Sequence, residues 1–175
     1  MNRHLTPVCK TAILINGIPA SGKSTITRLL AETFSLPVLT IDGIKEPFMA
    51  RLAPVDRPMN RQLGCAAYEV IWSIVAASPA SMVWLIDAWF GFQPRETLQK
   101  LLRQAGVEQV IEIWNHISPE LAVARYASRL ATRPPGHPGE EYLPELAQLA
   151  GRAQPMSLGP LLTIDQQRPL EITAV

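Results

Sequence analysis

The sequence predicts an α/β fold, a three-layer sandwich in which a five-stranded, mostly parallel sheet carries helices on both faces, with a small helical lid. Short apolar runs alternate with segments of helical periodicity along the chain, and parallel strands need such crossover connections. The 175 residues are 47% hydrophobic and 18% charged, enough apolar surface for one core and too little charge for a disordered chain. A glycine-rich stretch, Gly17–Ser24, joins the first apolar run to the first helical segment.

Thr11–Asn16 reads as the first strand, and Ile26, Leu29, Leu30 and Phe34 line one face of the helix that follows. Leu36–Ile41 is the second strand, and Ile44, Phe48 and Leu52 mark a second helix. After the Pro- and Arg-rich connection Ala53–Pro58, a helix is expected over Asn60–Ala77, then a turn at Ser78–Ser81 and a third strand, Met82–Ile86, ending at Asp87. Pro94 opens a helix to Ala105, with Gly106 at its end, and Gln109–Trp114 is the fourth strand. Ser118-Pro119-Glu120 starts a helix that can run to Arg133. Pro134–Gly139 is too rich in Pro and Gly for helix or sheet; a short helix near Pro144–Arg152 and a strand at Leu161–Ile164 follow, with Leu170–Val175 as a further edge strand. Residues 1–175 are expected to form a single domain, with the lid around 125–143 and no internal repeat.

Sixteen basic residues against fifteen acidic ones leave a net charge of +1, so no global field favours a nucleic acid backbone or an anionic membrane, and any anion site must be local. Cys9 and Cys65 share no metal-ligand spacing with His4, His116 and His137, which argues against a disulfide scaffold and a structural zinc. The basic start at Arg3 and His4 does not make a secretion signal, because the apolar run Ala12–Ile15 breaks at Asn16-Gly17, short of the roughly 7–15 residues required. Val70–Ile86 carries no charge, but Pro79 and interspersed serines cut it. A cytoplasmic protein without a membrane partner is expected; the sequence leaves its oligomeric state open.

Gly17-Ile18-Pro19-Ala20-Ser21-Gly22-Lys23-Ser24 fits G-x-x-x-x-G-K-[ST], between a predicted strand and a predicted helix, the context the pattern requires. The glycines let backbone N–H groups curl around a polyphosphate, and the helix N-terminus adds positive potential. Lys23 would neutralise the β- and γ-phosphates of ATP and Ser24 would offer a hydroxyl to Mg²⁺, with Thr25 and Arg125 as further nucleotide contacts.

On these residues the chain resembles the small P-loop kinases of the adenylate kinase type, particularly the group of chloramphenicol phosphotransferase and zeta toxin. Thr40–Glu46 after the second strand, Trp84–Ala88 in the third and the arginine-bearing segment Ser118–Arg133 extend the likeness over most of the chain. The resemblance implies a five-stranded parallel core, a mobile lid and transfer of the ATP γ-phosphoryl group to an acceptor hydroxyl.

Asp42, Asp87 and Asp165 directly follow predicted strands, where ligands bind in open α/β sheets. In the similar kinases a carboxylate after the second strand accepts the proton of the acceptor hydroxyl, which makes Asp42 the candidate general base; it would also suit an N-cap for a helix beginning near Gly43. Asp87 closes its strand like a Walker B carboxylate, holding Mg²⁺ directly or through water, and the two aspartates could exchange roles. Arg125, Arg129 and Arg133 fall at four-residue steps, one stripe on a continuous helix, where like charges repel unless phosphate offsets them. The resemblance favours Arg129 and Arg133 as the arginines that stabilise developing charge. Pro134–Glu141 would be the lid tip, with His137 inside it either near the substrate or exposed. Trp89, Phe90 and Phe92 could wall an acceptor pocket or pack onto the sheet, and Arg51, Arg57 and Arg61 could hold an anionic acceptor or be scattered surface charge.

No Asn-Lys-x-Asp motif supports a guanine-nucleotide switch, no G-x-G-x-x-G a dinucleotide enzyme, and the length leaves no room for the second domain of a mechanical ATPase. The reading is an ATP- and Mg²⁺-dependent phosphotransferase acting on a small hydroxylated acceptor. Its rivals are a nucleotide-dependent regulatory module and a nucleic acid 5′-hydroxyl kinase, the latter disfavoured by the charge balance.

Overall fold

A computed structural model describes residues 9–167 and arranges five strands in the order β2-β3-β1-β4-β5, each neighbouring pair parallel. The strands are β1 (Thr11–Asn16), β2 (Val38–Thr40), β3 (Val83–Ala88), β4 (Gln109–His116) and β5 (Leu161–Asp165). The helices are α1 (Lys23–Phe34), α2 (Ile41–Leu52), α3 (Arg57–Ala77), α4 (Arg95–Gln104), α5 (Pro119–Ala127) and α6 (Leu143–Arg152). The expected edge strand Leu170–Val175 lies outside the described residues.

β1 is central, so both of its faces are covered and it reads as an unbroken apolar run. Its two-residue period sends Ala12 and Leu14 into a core with Ile71 and Val75 of α3 and Leu98 and Leu102 of α4. Ile15 goes to the opposite face, where it meets Ile26 of α1, Leu85 and Ile113. The same alternation in β3 buries Ile86 among α3 and α4 and turns Asp87 toward α1. Ile18, Ile117, Ala122, Tyr126 and Leu146 form a third cluster, which seats α5 and α6 against each other.

Side-chain caps set the helix starts. The Thr40 hydroxyl accepts from Gly43 N (2.8 Å), so α2 begins at Ile41 and Asp42 lies inside its first turn rather than capping a helix near Gly43. Asp56 caps α3 through Met59 N (2.8 Å), which starts that helix at Arg57, earlier than the expected Asn60. Ser118 caps α5 through Leu121 N (3.3 Å), as its sequence suggests.

α5 does not run to Arg133. It ends at Ala127, followed by a single 3₁₀ turn over Leu130–Thr132, and Arg133 is extended (φ −74°, ψ 142°). The Ser128 and Thr132 hydroxyls bond back to the carbonyls of Arg125 (3.0 Å) and Arg129 (3.1 Å), competing with the helical ladder, and Pro134 disfavours helical geometry in the residue before it. Arg125, Arg129 and Arg133 therefore do not form one stripe.

Two buried polar groups fix the layers. Lys10 donates through Nζ to Val75 O (2.7 Å), Ala76 O (3.2 Å) and Ala105 O (3.1 Å), tying together the C-terminal ends of α3 and α4, where positive charge is favoured. Glu112 is fully buried and accepts from Asn16 Nδ2 (2.7 Å), Met156 N (2.8 Å) and Ser157 N (2.7 Å), while Asn16 Oδ1 accepts from Gly17 N (2.8 Å) and Phe90 N (3.2 Å). This network holds the loop after β1, the loop after β3 and the approach to β5 in one register. Cys9 and Cys65 are free thiols, and no described helix is long and apolar enough to cross a membrane.

Candidate active site

Gly17–Ser24 lies at the carboxyl end of β1 and leads directly into α1. Gly17 (φ 155°) leaves room where a Cβ would come within 2.3 Å of the Ser21 hydroxyl and 3.0 Å of Asn115 O. Gly22 (φ 81°) is left-handed, and a Cβ there would lie 2.4 Å from Gln166 Oε1. Ile18 is buried by its side chain in the α5–α6 cluster, Ala20 has φ 67°, and Ser21 N donates to Ile18 O (3.2 Å). The Ser21 hydroxyl is buried with no hydrogen-bond partner among the described residues. The loop thus turns tightly onto the N-terminus of α1, whose first amides have no partner within the helix.

Lys23 opens α1, and its Nζ donates to Ile18 O (3.0 Å), folding back over the loop. Burial holds its pKa below the ordinary lysine value, opposed by Asp87 and Asp42 and reinforced by Arg129. All three charged groups therefore act on this one ammonium.

Asp87 is 6% exposed, inside β3 rather than just beyond it. Its Oδ2 lies 3.1 Å from the Thr27 hydroxyl, which shares its single proton with Lys23 O at 3.0 Å; the Ser24 hydroxyl also faces the carboxylate. Burial raises the Asp87 pKa, outweighing Lys23, Thr27 and Ser24, and Asp42 adds to the rise. Asp42 behaves oppositely. Its side chain is 59% exposed and paired with Lys45 Nζ at 3.2 Å. Burial opposes ionisation there, but Lys45, His137 and Lys23 prevail and lower its pKa. The two aspartates that look alike in sequence have environments that push them apart.

A cavity of about 420 Å³ opens beside the loop, lined among others by Ala20, Gly22, Thr25, Arg125, Arg129 and Gln166. Arg125 donates to Gln166 Oε1 (3.1 Å) and Gln166 O (3.4 Å), and Arg129 Nε donates to Arg125 O (3.1 Å). Gln166, which also donates to Asn115 Oδ1 (3.2 Å), escaped the sequence reading. Its position just after Asp165 at a strand end was the available signal. Arg133 stands apart from this cavity, 4.5 Å over the Tyr126 ring and 2.9 Å from His137 Nδ1. Lys45 and Glu46, on α2 beside Asp42, were also missed as individual groups.

Phe90 and Phe92 pack against Tyr68, with ring centroids 6.0 and 5.1 Å away, so they belong to the α3–α4 core rather than to a pocket wall. Trp89 is half-buried against Trp114 (6.0 Å). Arg51 and Arg61 are exposed, and Arg57 is paired with Glu145.

The donor set fits a hard divalent cation and a polyphosphate. The Ser24 hydroxyl and the Asp87 carboxylate supply oxygen ligands of the kind Mg²⁺ prefers, and Gly22, at the N-terminus of α1, lines the cavity where that helix end offers positive potential.

No family model matches the chain, and no curated protein matches it. Solved structures do. A protein of Chloroflexus aurantiacus, itself only provisionally described as a kinase, is 28% identical over 90% of this chain and 88% of its own, with a TM-score of 0.74. A gluconokinase from Sinorhizobium meliloti is 19% identical over 94% and 85% of the two chains, with a TM-score of 0.55. A shikimate kinase from Acinetobacter baumannii, solved with shikimate, is 18% identical over 91% and 84%, with a TM-score of 0.50. The fold of this protein is that of P-loop kinases.

Proposed function

We propose that this protein is an ATP- and Mg²⁺-dependent phosphotransferase that moves the γ-phosphoryl group to a hydroxyl of a small-molecule acceptor. The observation that carries this reading is the placement of Lys23 and Ser24 at the start of α1, with the buried Asp87 of β3 turned toward that helix, at the carboxyl end of the parallel sheet. The loop amides and Lys23 would hold the phosphates, Ser24 and Asp87 the metal, and Arg125 with Arg129 the nucleotide side of the cavity. When bound, Mg²⁺ offsets phosphate charge and orients the transferring group. Asp42, exposed in the first turn of α2, would accept the acceptor proton, whereas Asp87, 6% exposed and facing the Thr27 and Ser24 hydroxyls, would be the metal ligand. The kinases of similar fold that act on a sugar acid or on shikimate support a small acceptor; its identity within hydroxylated compounds is for experiment.

The test is a screen with γ-labelled MgATP against sugars, sugar acids, hydroxy acids, nucleosides and hydroxylated antibiotics, with RNA and DNA 5′-hydroxyl ends alongside. Label transferred to a small acceptor is the expected result. ATP turnover with no labelled acceptor would favour a regulatory ATPase instead, and label on nucleic acid ends would favour the polynucleotide kinase.

A further inference from the structure

His137 sits between two partners: Arg133 Nη2 lies 2.9 Å from its Nδ1, and Glu46 Oε1 lies 2.8 Å from its Nε2. A guanidinium can only donate, so Nδ1 must accept, and the imidazole proton must reside on Nε2, donated to Glu46. The contact therefore specifies one neutral tautomer. The charged groups that bear on the ring are Lys45, Glu46 and Asp42 from α2 and Arg133 from its own segment, while α3 contributes the uncharged Asn60 nearby. Burial, Lys45 and Arg133 together lower the imidazole pKa below its ordinary value, against the pull of Glu46 and Asp42.

The surrounding segment is docked on α2 and α3. Asn60 Nδ2 donates to Gly136 O (2.7 Å), and Tyr126 Oη donates to Pro138 O (2.8 Å). Gly136 (φ 92°) lies so close that a Cβ would come within 2.9 Å of Met49 Cε and 3.0 Å of Val55 Cβ. Arg133, stacked on Tyr126, keeps a buried Nε with no hydrogen-bond partner among the described residues. A buried guanidinium donor without an acceptor is costly unless a ligand oxygen completes it.

Asp42, Glu46 and His137 also bring one atom each within 4.8 Å of one another, a spacing that can hold a cation. Both imidazole nitrogens are already engaged and Lys45 and Arg133 flank the cluster, so no lone pair is free for a metal and the local charge opposes one.

We propose that Glu46 and His137 are positioning residues that lock Arg133 against the cluster of Asp42, Glu46 and His137, leaving Arg133 Nε to donate to an anionic oxygen of the reactants. The inference rests on the phosphotransferase reading for its consequence in turnover. Its geometry is testable without turnover. Helix α2, which carries the candidate base, thereby also sets the guanidinium, so the two ends of the reaction are aligned by one element.

The experiment has two arms. In the full-length protein, ¹⁵N NMR of His137 should show a protonated Nε2, an unprotonated Nδ1 and a pKa below about 6.5, which Arg133→Ala should raise. In the second arm, γ-phosphoryl loss from MgATP in the presence of the acceptor mixture is measured for Arg133→Ala, His137→Ala and the double variant. Each single change should lower kcat by about ten- to a hundredfold with KM for ATP little changed, and the double variant should be no worse than Arg133→Ala. Glu46→Gln, which keeps an acceptor for Nε2–H, should recover most of what Glu46→Ala loses. The wild-type rate should fall as pH drops through the His137 pKa, because an imidazolium offers Arg133 a donor instead of an acceptor. A protonated Nδ1, or additive losses in the double variant, would overturn the proposal. If no variant or wild type turns over ATP while the NMR arm gives the expected tautomer, the phosphotransferase reading fails and the Arg133 lock stands.

Discussion

Asp42 and Lys45 show how one residue's neighbourhood decides its chemistry. Both carboxylates of the cleft follow apolar segments, but Asp42 is exposed beside an ammonium and Asp87 is 6% exposed, with burial outweighing the groups that favour its ionised form. A base must be reachable by the acceptor hydroxyl, and of the two aspartates Asp42 is the exposed one. Asp42→Asn should lower phosphoryl transfer by at least about 100-fold while ATP affinity, measured by titration, stays within about threefold. Transfer at the wild-type rate would remove Asp42 from the mechanism. The type and place of this residue were legible from its strand-end position. Its pairing with Lys45 was not read, although the two are a helical step apart, because the helix start was placed near Gly43 instead of Ile41.

At the scale of elements, local signals read well where they are self-contained. β1 and the phosphate-loop pattern depend on an unbroken apolar run and on glycine spacing, and both occur where the sequence places them. The end of α5 was misread because hydroxyl-to-carbonyl bonds from Ser128 and Thr132 and the proline after Arg133 outweigh a helical pattern that looks continuous. Lys10 was invisible for a different reason: its three carbonyl partners come from helices 65 to 95 residues away. Replacing it with Met keeps the stem but leaves those carbonyls without their donor. The expected cost is about 2 kcal/mol, a fall in Tm of roughly 4–8 °C in a thermal melt. A Tm unchanged within about 1 °C would show that water replaces the ammonium without loss.

The whole molecule brings residues remote in sequence into one cleft. Strand order β2-β3-β1-β4-β5 sets the ends of β1, β3 and β2 side by side, so that the loop, Asp87 and Asp42 meet without any of them being adjacent along the chain. The fold class followed from the strand and helix alternation. The docking of Gly136–Pro138 onto α2 and α3 and the place of Gln166 in the lining of the cavity beside the loop did not, because each depends on tertiary contacts that no local periodicity encodes.

The most direct measurement is a calorimetric titration of the protein with MgATP, repeated on Lys23→Ala with its folded state checked by circular dichroism. Saturable one-to-one binding by the wild type, weakened at least about tenfold in a variant that remains folded, is the predicted result. No binding by the wild type, or equal binding by both proteins, would contradict the account at its foundation.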